Sequence, residues 1–262
     1  MKPARAKPSR PAAAPKPGPA AFAALQSIRP TAAPQLGEAV ADAIVNAIAQ
    51  GTLEPGARIV EEVVASQLQV SRVPIREAIK ILQAQGILQV LPNRGARVAA
   101  FDADVIDKVN EARIALEWIA AQGAMRTFRS DPQRAAGLQD IIAHMEAVAR
   151  RADWAGLRRC DIAFHREICI ASDNDIILKL WEALSRHIVI IFGREIASER
   201  KFDVVIAQHR RLLEMLLAGS PAVARELESH ILRLRHKASR PPGRFLAGKS
   251  LAGNGKSPRA RA

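Results

Sequence analysis

The sequence contains no tyrosine, only ten other aromatic residues among 262, and two cysteines. So few rings disfavour the stacking platform on which single-stranded nucleic acids bind. Cys160 and Cys169 fall within one helical pattern and cannot form a disulfide scaffold, and this usage fits a reducing cytosol. Long apolar runs are missing too. The stretch HIVIIF at 187–192 is among the longest and falls far short of the roughly 18 residues a membrane span needs. The N-terminus is poor in acids, as transit peptides are, but lacks the apolar core of a secretory signal. Neither H-E-x-x-H nor G-x-S-x-G occurs, so two common hydrolase signatures are missing. A cytoplasmic protein without a membrane segment is the expectation.

Acidic residues are absent from both ends. Residues 1–35 hold six bases and residues 237–262 hold seven, with no Asp or Glu in either stretch. The remaining 26 bases face all 26 acids across residues 36–236, so the net charge of +13 belongs to the tails. A pI set by tails does not by itself show that the folded part binds nucleic acid. Both tails are rich in Pro, Ala and Gly and lack apolar periodicity, which predicts disordered basic arms capable of weak, salt-screened phosphate contacts. Apolar residues make up 48% of the chain, enough for a core, and the length suits one large domain or two modest ones.

Two regions of different texture lie between the tails. Residues 36–100 are compact and punctuated. Leu36, Val40, Ala43, Ile44, Ala47 and Ile48 give the spacing of a core-facing helix, which Gly51 ends. A short helix is predicted over 60–68. A third runs from an N-cap at Ser71 to about Gln85, with Pro74 in its first turn. Two short strands at 87–91 and 96–100 flank a tip at Pro92-Asn93-Arg94-Gly95. Residues 102–236 read as helical throughout, in six segments at about 102–127, 133–151, 154–171, 175–196, 201–218 and 222–237. The predicted fold is therefore mainly α: an N-terminal winged helix-turn-helix of three helices and a β-hairpin wing, then an all-α six-helix bundle.

The winged pattern carries a specific chemistry. The B-DNA major groove admits one helix, whose N-terminal residues reach base edges. Arg72, Arg76 and Lys80 are four apart and share a face of the third helix, opposite Ile75, Ala78, Ile79 and Leu82. A guanidinium fork can take guanine O6 and N7 together. Ser71 and the helix N-terminal amides suit a phosphate. Asn93, Arg94 and Gly95 at the wing tip are placed to enter a minor groove or touch backbone. This reading requires Arg72 and Arg76 to be available rather than locked in salt bridges.

The stretch GTLEPGARIVEEVVASQLQVSRVPIREAIKILQAQGILQVLPNRGARV closely resembles the DNA-binding domain of the GntR family of bacterial transcription regulators, over residues 36–98. The resemblance implies Ser71, Arg72, Pro74, Arg76, Lys80, Asn93, Arg94 and Gly95 as the DNA-contacting set. Glu61 and Glu62 depart from the pattern, because some members place a basic backbone contact there.

In the helical region, Asp161 and His165 stand at i and i+4 on one helix face, and His209 and His230 follow on later helices. Carboxylate and imidazole ligands from several helices can meet inside a bundle and hold a divalent ion, with a position left open for a small acid. Zn, Ni, Mn and Fe all tolerate such a set. His144, His187 and His236 are read as ordinary surface or hydrogen-bonded histidines. The stretches EARIALEWIAAQGA, CDIAFHREICIASDND, AQHRRLLEMLLAGS and RELESHI are similar in order to the FCD ligand-binding domain of the FadR subfamily, and the helix count is similar to its VanR-like branch. That resemblance implies Asp161, His165, His209 and His230 as metal ligands, zinc as the expected ion, and Arg113 as the basic group facing an effector carboxylate. Asn174 is read as a helix N-cap. The interval from His209 to His230 is one residue shorter than usual; placing the deletion in loop 218–221 keeps Leu227 and His230 on the buried stripe.

The expected protein is a homodimeric transcription regulator, a repressor, that reads palindromic double-stranded DNA and responds to a small organic acid. The alternatives are a metal-dependent hydrolase fused to a DNA anchor and an architectural nucleic-acid binder driven by its tails. The first would need a general base near the metal-bound water, and Glu167 is two residues from His165 and points elsewhere.

Overall fold

The computed structural model describes residues 33–91, 95–195 and 201–232. Its order is α1 (Ala33–Ala49), β1 (Arg58–Ile59), α2 (Glu61–Leu68), α3 (Arg72–Ala84), β2 (Leu88–Leu91) and β3 (Gly95–Val98), followed by α4 (Ala103–Ser130), α5 (Ala136–Ala149), α6 (Trp154–Ala171), α7 (Asp175–Glu195), α8 (Phe202–Leu217) and α9 (Val223–Leu232). The fold is mainly helical, with a winged helix-turn-helix ahead of a helical bundle, as the periodicity predicted.

In the first unit α1 packs along α3, and Ile44, Ile48, Leu53, Ile59, Ile75 and Leu82 are fully buried between them and the sheet. The sheet has three antiparallel strands in the order β1-β3-β2, with Arg58 opposite Arg97 and Leu88 opposite Val98. β1 was not anticipated: at two residues it is too short to show alternation. Gly95 opens β3 at φ +79°, and a Cβ there would lie 2.9 Å from the Ile59 carbonyl oxygen. Only glycine lets β3 approach β1 this closely.

In the second unit the long helix α4 is central, packed by α6, α7, α8 and α9, while α5 lies across α6 and α8. Phe128, Leu138, Met145, Leu157, Phe164, Ile168, Trp181, Leu212 and Leu227 belong to one continuous core. Caps fix the helix starts. The Asp102 carboxylate accepts from Val105 N, Asp153 from Gly156 N, and Asn174 Oδ1 from Ile177 N, so Asn174 is the N-cap expected. The helix expected from 133 opens instead as a 3-10 turn, Pro132–Ala135, because Asp131 caps Gln133 N and Pro132 starts a tighter turn.

The two units touch through α7. Ile190 sits in the core of the winged helix-turn-helix unit, Arg186 Nε donates to Asp42 Oδ1 at 2.9 Å, and Arg186 Nη2 pairs with Glu38. Residues 33–35, assigned to the basic tail from sequence, make up most of the first turn of α1. The rest of both tails, His236, and the wing-tip residues Asn93 and Arg94 lie outside the described residues.

Candidate functional site

The bundle interior gathers four polar side chains that no apolar core would admit without a partner. Asp161 and His165 come from α6, His209 from α8 and His230 from α9, all buried, and one ligand atom from each lies within 4.8 Å of all the others. They are neighbours because α6, α8 and α9 all pack against α4. His230, the residue that depended on where the deletion fell, stands in the cluster, with Leu227 buried one turn earlier.

The tautomers follow from the partners. His209 Nδ1 lies 2.8 Å from the Val205 carbonyl oxygen, which can only accept, so the proton sits on Nδ1 and Nε2 presents its lone pair. That nitrogen is 3.2 Å from Asp161 Oδ1. His165 Nδ1 lies 2.7 Å from Glu117 Oε2, and His165 Nε2 is 3.1 Å from His230 Nε2. Ligand atoms of all four side chains thus converge on one place. Burial, and then the neighbouring His209 and His165 rings, push His230 well below the ordinary imidazole range, so it is neutral. Burial pushes the Asp161 carboxyl up, but the neighbouring His209 and His165 rings and the Arg113 guanidinium outweigh it and hold the group ionised. Asp161 Oδ2, His209 Nε2 and His230 Nδ1 have no hydrogen-bond partner. One carboxylate and three imidazoles gathered this closely, with Asp161 Oδ2 and His209 Nε2 lacking a hydrogen-bond partner, fit a divalent transition metal.

A second layer, which sequence reading missed, surrounds these four. Glu117 on α4 is fully buried. Its Oε1 accepts from Arg113 Nε at 2.7 Å and from Trp181 Nε1 at 2.9 Å, while Oε2 touches His165. Burial raises its carboxyl, but Arg113 and His165 overcome this and bring it down to about 2. Such carboxylate–imidazole contacts orient a metal-binding ring. Arg113, expected to meet an effector, is buried, with Nη2 3.9 Å from Asp161 Oδ2 and lacking any hydrogen bond. One edge of its guanidinium is held and the other is free beside the cluster. Glu167 approaches Gly137 of α5 instead, so it is no base for the cluster.

On the DNA-reading side, Ser71, Arg72, Arg76 and Lys80 are exposed on one side of α3. Ser71 caps the helix in extended conformation, and its side chain makes no cap hydrogen bond. Arg72 and Arg76 are not free as the sequence reading required. Arg72 Nη2 donates to Glu62 Oε1 at 2.7 Å and Arg76 Nε to Glu61 Oε2 at 2.8 Å, the two acids that depart from the family pattern. Both pairs are solvent-exposed and therefore exchangeable. Pro74, grouped with the contacts, is buried and shapes the first turn, and Gly95 serves the β1 approach described above. Val73 was missed: it is 60% exposed and, three residues before Arg76, shares that helix face. An exposed apolar side chain there suits a thymine methyl.

Residues 36–98 match the gntR family of bacterial regulatory proteins, and residues 108–233 match the FCD domain. The chain is 32% identical over 192 residues to the "Probable D-xylose utilization operon transcriptional repressor" of Paenarthrobacter nicotinovorans, covering 73% of this chain and 83% of that protein. Among solved structures it is similar to McbR/YncC of E. coli (TM-score 0.64, 23% identity, 76% of this chain and 93% of that one). It is also similar to a GntR regulator from Rhodococcus sp. RHA1 (TM-score 0.62, 23% identity, 77% and 96%), and at this identity both likenesses speak for the fold alone.

Proposed function

The chain belongs to the gntR family of bacterial regulatory proteins, carries an FCD domain and is a transcription regulator rather than an enzyme; from that premise we propose a ligand-responsive repressor that reads operator DNA as a homodimer. The observation that carries the ligand response is the buried Asp161–His165–His209–His230 cluster with the free edge of Arg113 beside it. The four side chains hold a divalent metal, zinc in the first instance, and Arg113 takes the carboxylate of a small organic acid. When bound, the metal supplies a Lewis-acidic position for an effector oxygen. Glu117 and the Val205 carbonyl keep the histidine lone pairs aimed inward, and Arg113 supplies fixed positive charge.

Ser71, Arg72, Arg76 and Lys80 meet one half-site, with Val73 against a base methyl. Two copies related by a two-fold axis read a palindrome. A second copy is accommodated by the face shared by α4 and α7. Ile119, Ile176 and Leu180 are exposed there beside a groove of about 450 Å³ lined by Ala112, Ala115, Leu116, Ala183 and Leu184. Apolar exposure of this kind marks a contact surface, and the alanines permit close helix approach. No helix among the described residues is long and apolar enough to cross a membrane.

The test is fluorescence anisotropy of the full chain on duplexes tiled across its own upstream DNA. Zinc-loaded and chelated protein are compared, with gluconate, lactate and malate as trial effectors. A salt-resistant preference for one palindrome, shifted by an acid only in the metal-loaded protein, supports the reading. Equal affinity for every duplex overturns it.

A further inference from the structure

A second cavity lies away from the metal cluster, where the two units meet. It has a volume of about 700 Å³, with Asp42 and Asn46 of α1 and Gln50 just beyond it on one wall and Arg158, Arg159, Ile162, Arg186 and Val189 of α6 and α7 on the other. That size suits a small ligand. The lining is basic: three guanidiniums face one carboxylate. Two of the three are engaged. Arg186 pairs with Asp42 and Glu38, and Arg159 Nη2 lies 3.5 Å from Asp153. Arg158 is half-buried and has no ion pair or hydrogen bond among the described residues. Burial, then the like charge of Arg159, lower its pKa, and nothing offsets them. An uncompensated cation in a cleft is a cost that an anion would remove. Residues 1–32 and 233–262 contain no Asp or Glu side chain to pair with it.

We propose that this cleft is a binding site for a small oxyanion, a carboxylate or phosphate group on a compact apolar body. Arg158 takes the anionic group, Asn46 and Gln50 offer amide donors, and Ile162 and Val189 receive the apolar part. Because the walls come from both units, an occupant favours the arrangement in which α1 lies against α6 and α7.

Thermal melting of the full chain tests this without reference to DNA, so failure of the operator reading leaves the test standing. The probes are benzoate, phenyl phosphate and inorganic phosphate. Benzoate, phenyl phosphate or both are expected to raise the melting temperature by about 3–5 °C at ten times the dissociation constant, and inorganic phosphate by less. Which of the two organic probes acts distinguishes the carboxylate from the phosphate source. Arg158→Gln should abolish the rise, Arg158→Lys should keep part of it, and chelation should leave it intact. Ala155→Glu, an exposed lining position, should abolish it as well by supplying an internal carboxylate. The proposal is overturned if no probe shifts the wild type, if Arg158→Gln shifts as much as the wild type, or if chelation alone removes the effect. It is also overturned if Arg158→Gln weakens duplex binding and leaves the probe response unchanged, since that would assign the arginine to DNA.

Discussion

Arg72 Nη2 lies 2.7 Å from Glu62 Oε1, so α2 holds a guanidinium that the winged-helix reading sends to a base edge. An exposed pair contributes about 0.2–1 kcal/mol, whereas a bidentate guanidinium–guanine contact discriminates by about 1–3 kcal/mol. DNA therefore wins the exchange, but the carboxylate subtracts from affinity. Glu62→Gln should tighten duplex binding by up to about fivefold, on operator and random DNA alike. Arg72→Ala should lose affinity for the operator selectively. Anisotropy at fixed salt separates the two; weaker binding by Glu62→Gln would mean that the pair orders Arg72 rather than competing for it.

Glu117 touches His165, Arg113 and Trp181 at once, and no other described carboxylate makes these contacts. Glu117→Gln should cost about 10–100-fold in metal affinity, measured by competition with a chelating dye. Because that change also strips a buried arginine of its counter-charge, Trp181→Phe is the milder companion. It removes one hydrogen bond to Glu117 and should weaken metal binding less. Unchanged affinity in both variants would detach Glu117 from the metal.

Leu180, 50% exposed on α7, lies on the groove assigned to the second copy. Leu180→Glu places a charge on that face. Light scattering should then show monomers at micromolar concentration, with palindrome affinity falling sharply and half-site affinity unchanged. A dimer that survives the substitution would move the interface elsewhere.

What was legible in the sequence follows interaction range. Helices stood out because their apolar spacing is local, and the buried cluster did because Asp161 and His165 are four apart within recognisable surroundings. Glu117 was hidden for the opposite reason. Arg113 and Glu117 share the i, i+4 spacing of Asp104 and Lys108, yet the first pair is buried and the second exposed, and only packing distinguishes them. The Arg76–Glu61 pair spans 15 residues and the Arg186–Asp42 pair 144, distances over which no periodicity speaks. β1 exists only because β3 pairs with it.

His187 makes the junction sensitive to acid. It lies on α7 with its ring 6.1 Å from that of Phe101, and burial lowers its pKa from 6.5 while a hydrogen bond with the Gln85 backbone opposes the shift. As pH falls through 6.5, the unfolded chain takes up a proton that the folded chain refuses until its lower pKa is reached. Stability is therefore lost downward from about pH 6.5 and is fully present above it. His187→Gln should flatten the fall in melting temperature between pH 7 and pH 5 relative to wild type; parallel curves would refute the assignment.

Helix α7 joins three sites: Trp181 holds Glu117 behind the Asp161 and histidine cluster, Leu180 faces the groove, and Arg186 and Ile190 reach the DNA-binding unit. Gly193 is a close point of that last contact. A Cβ there would lie 2.6 Å from both Cβ and carbonyl oxygen of Ala49, so Gly193→Ala must push α1 and α7 apart. The four residues proposed to hold the metal lie on α6, α8 and α9 and are spared. Metal affinity should therefore stay within about twofold, while operator affinity, or its response to an effector, changes by about tenfold or more, typical of an allosteric coupling of 1–3 kcal/mol. Both quantities are measurable on one preparation. If they fall together, the substitution has damaged the fold; if neither moves, α7 does not carry the signal from the buried cluster to the reading head.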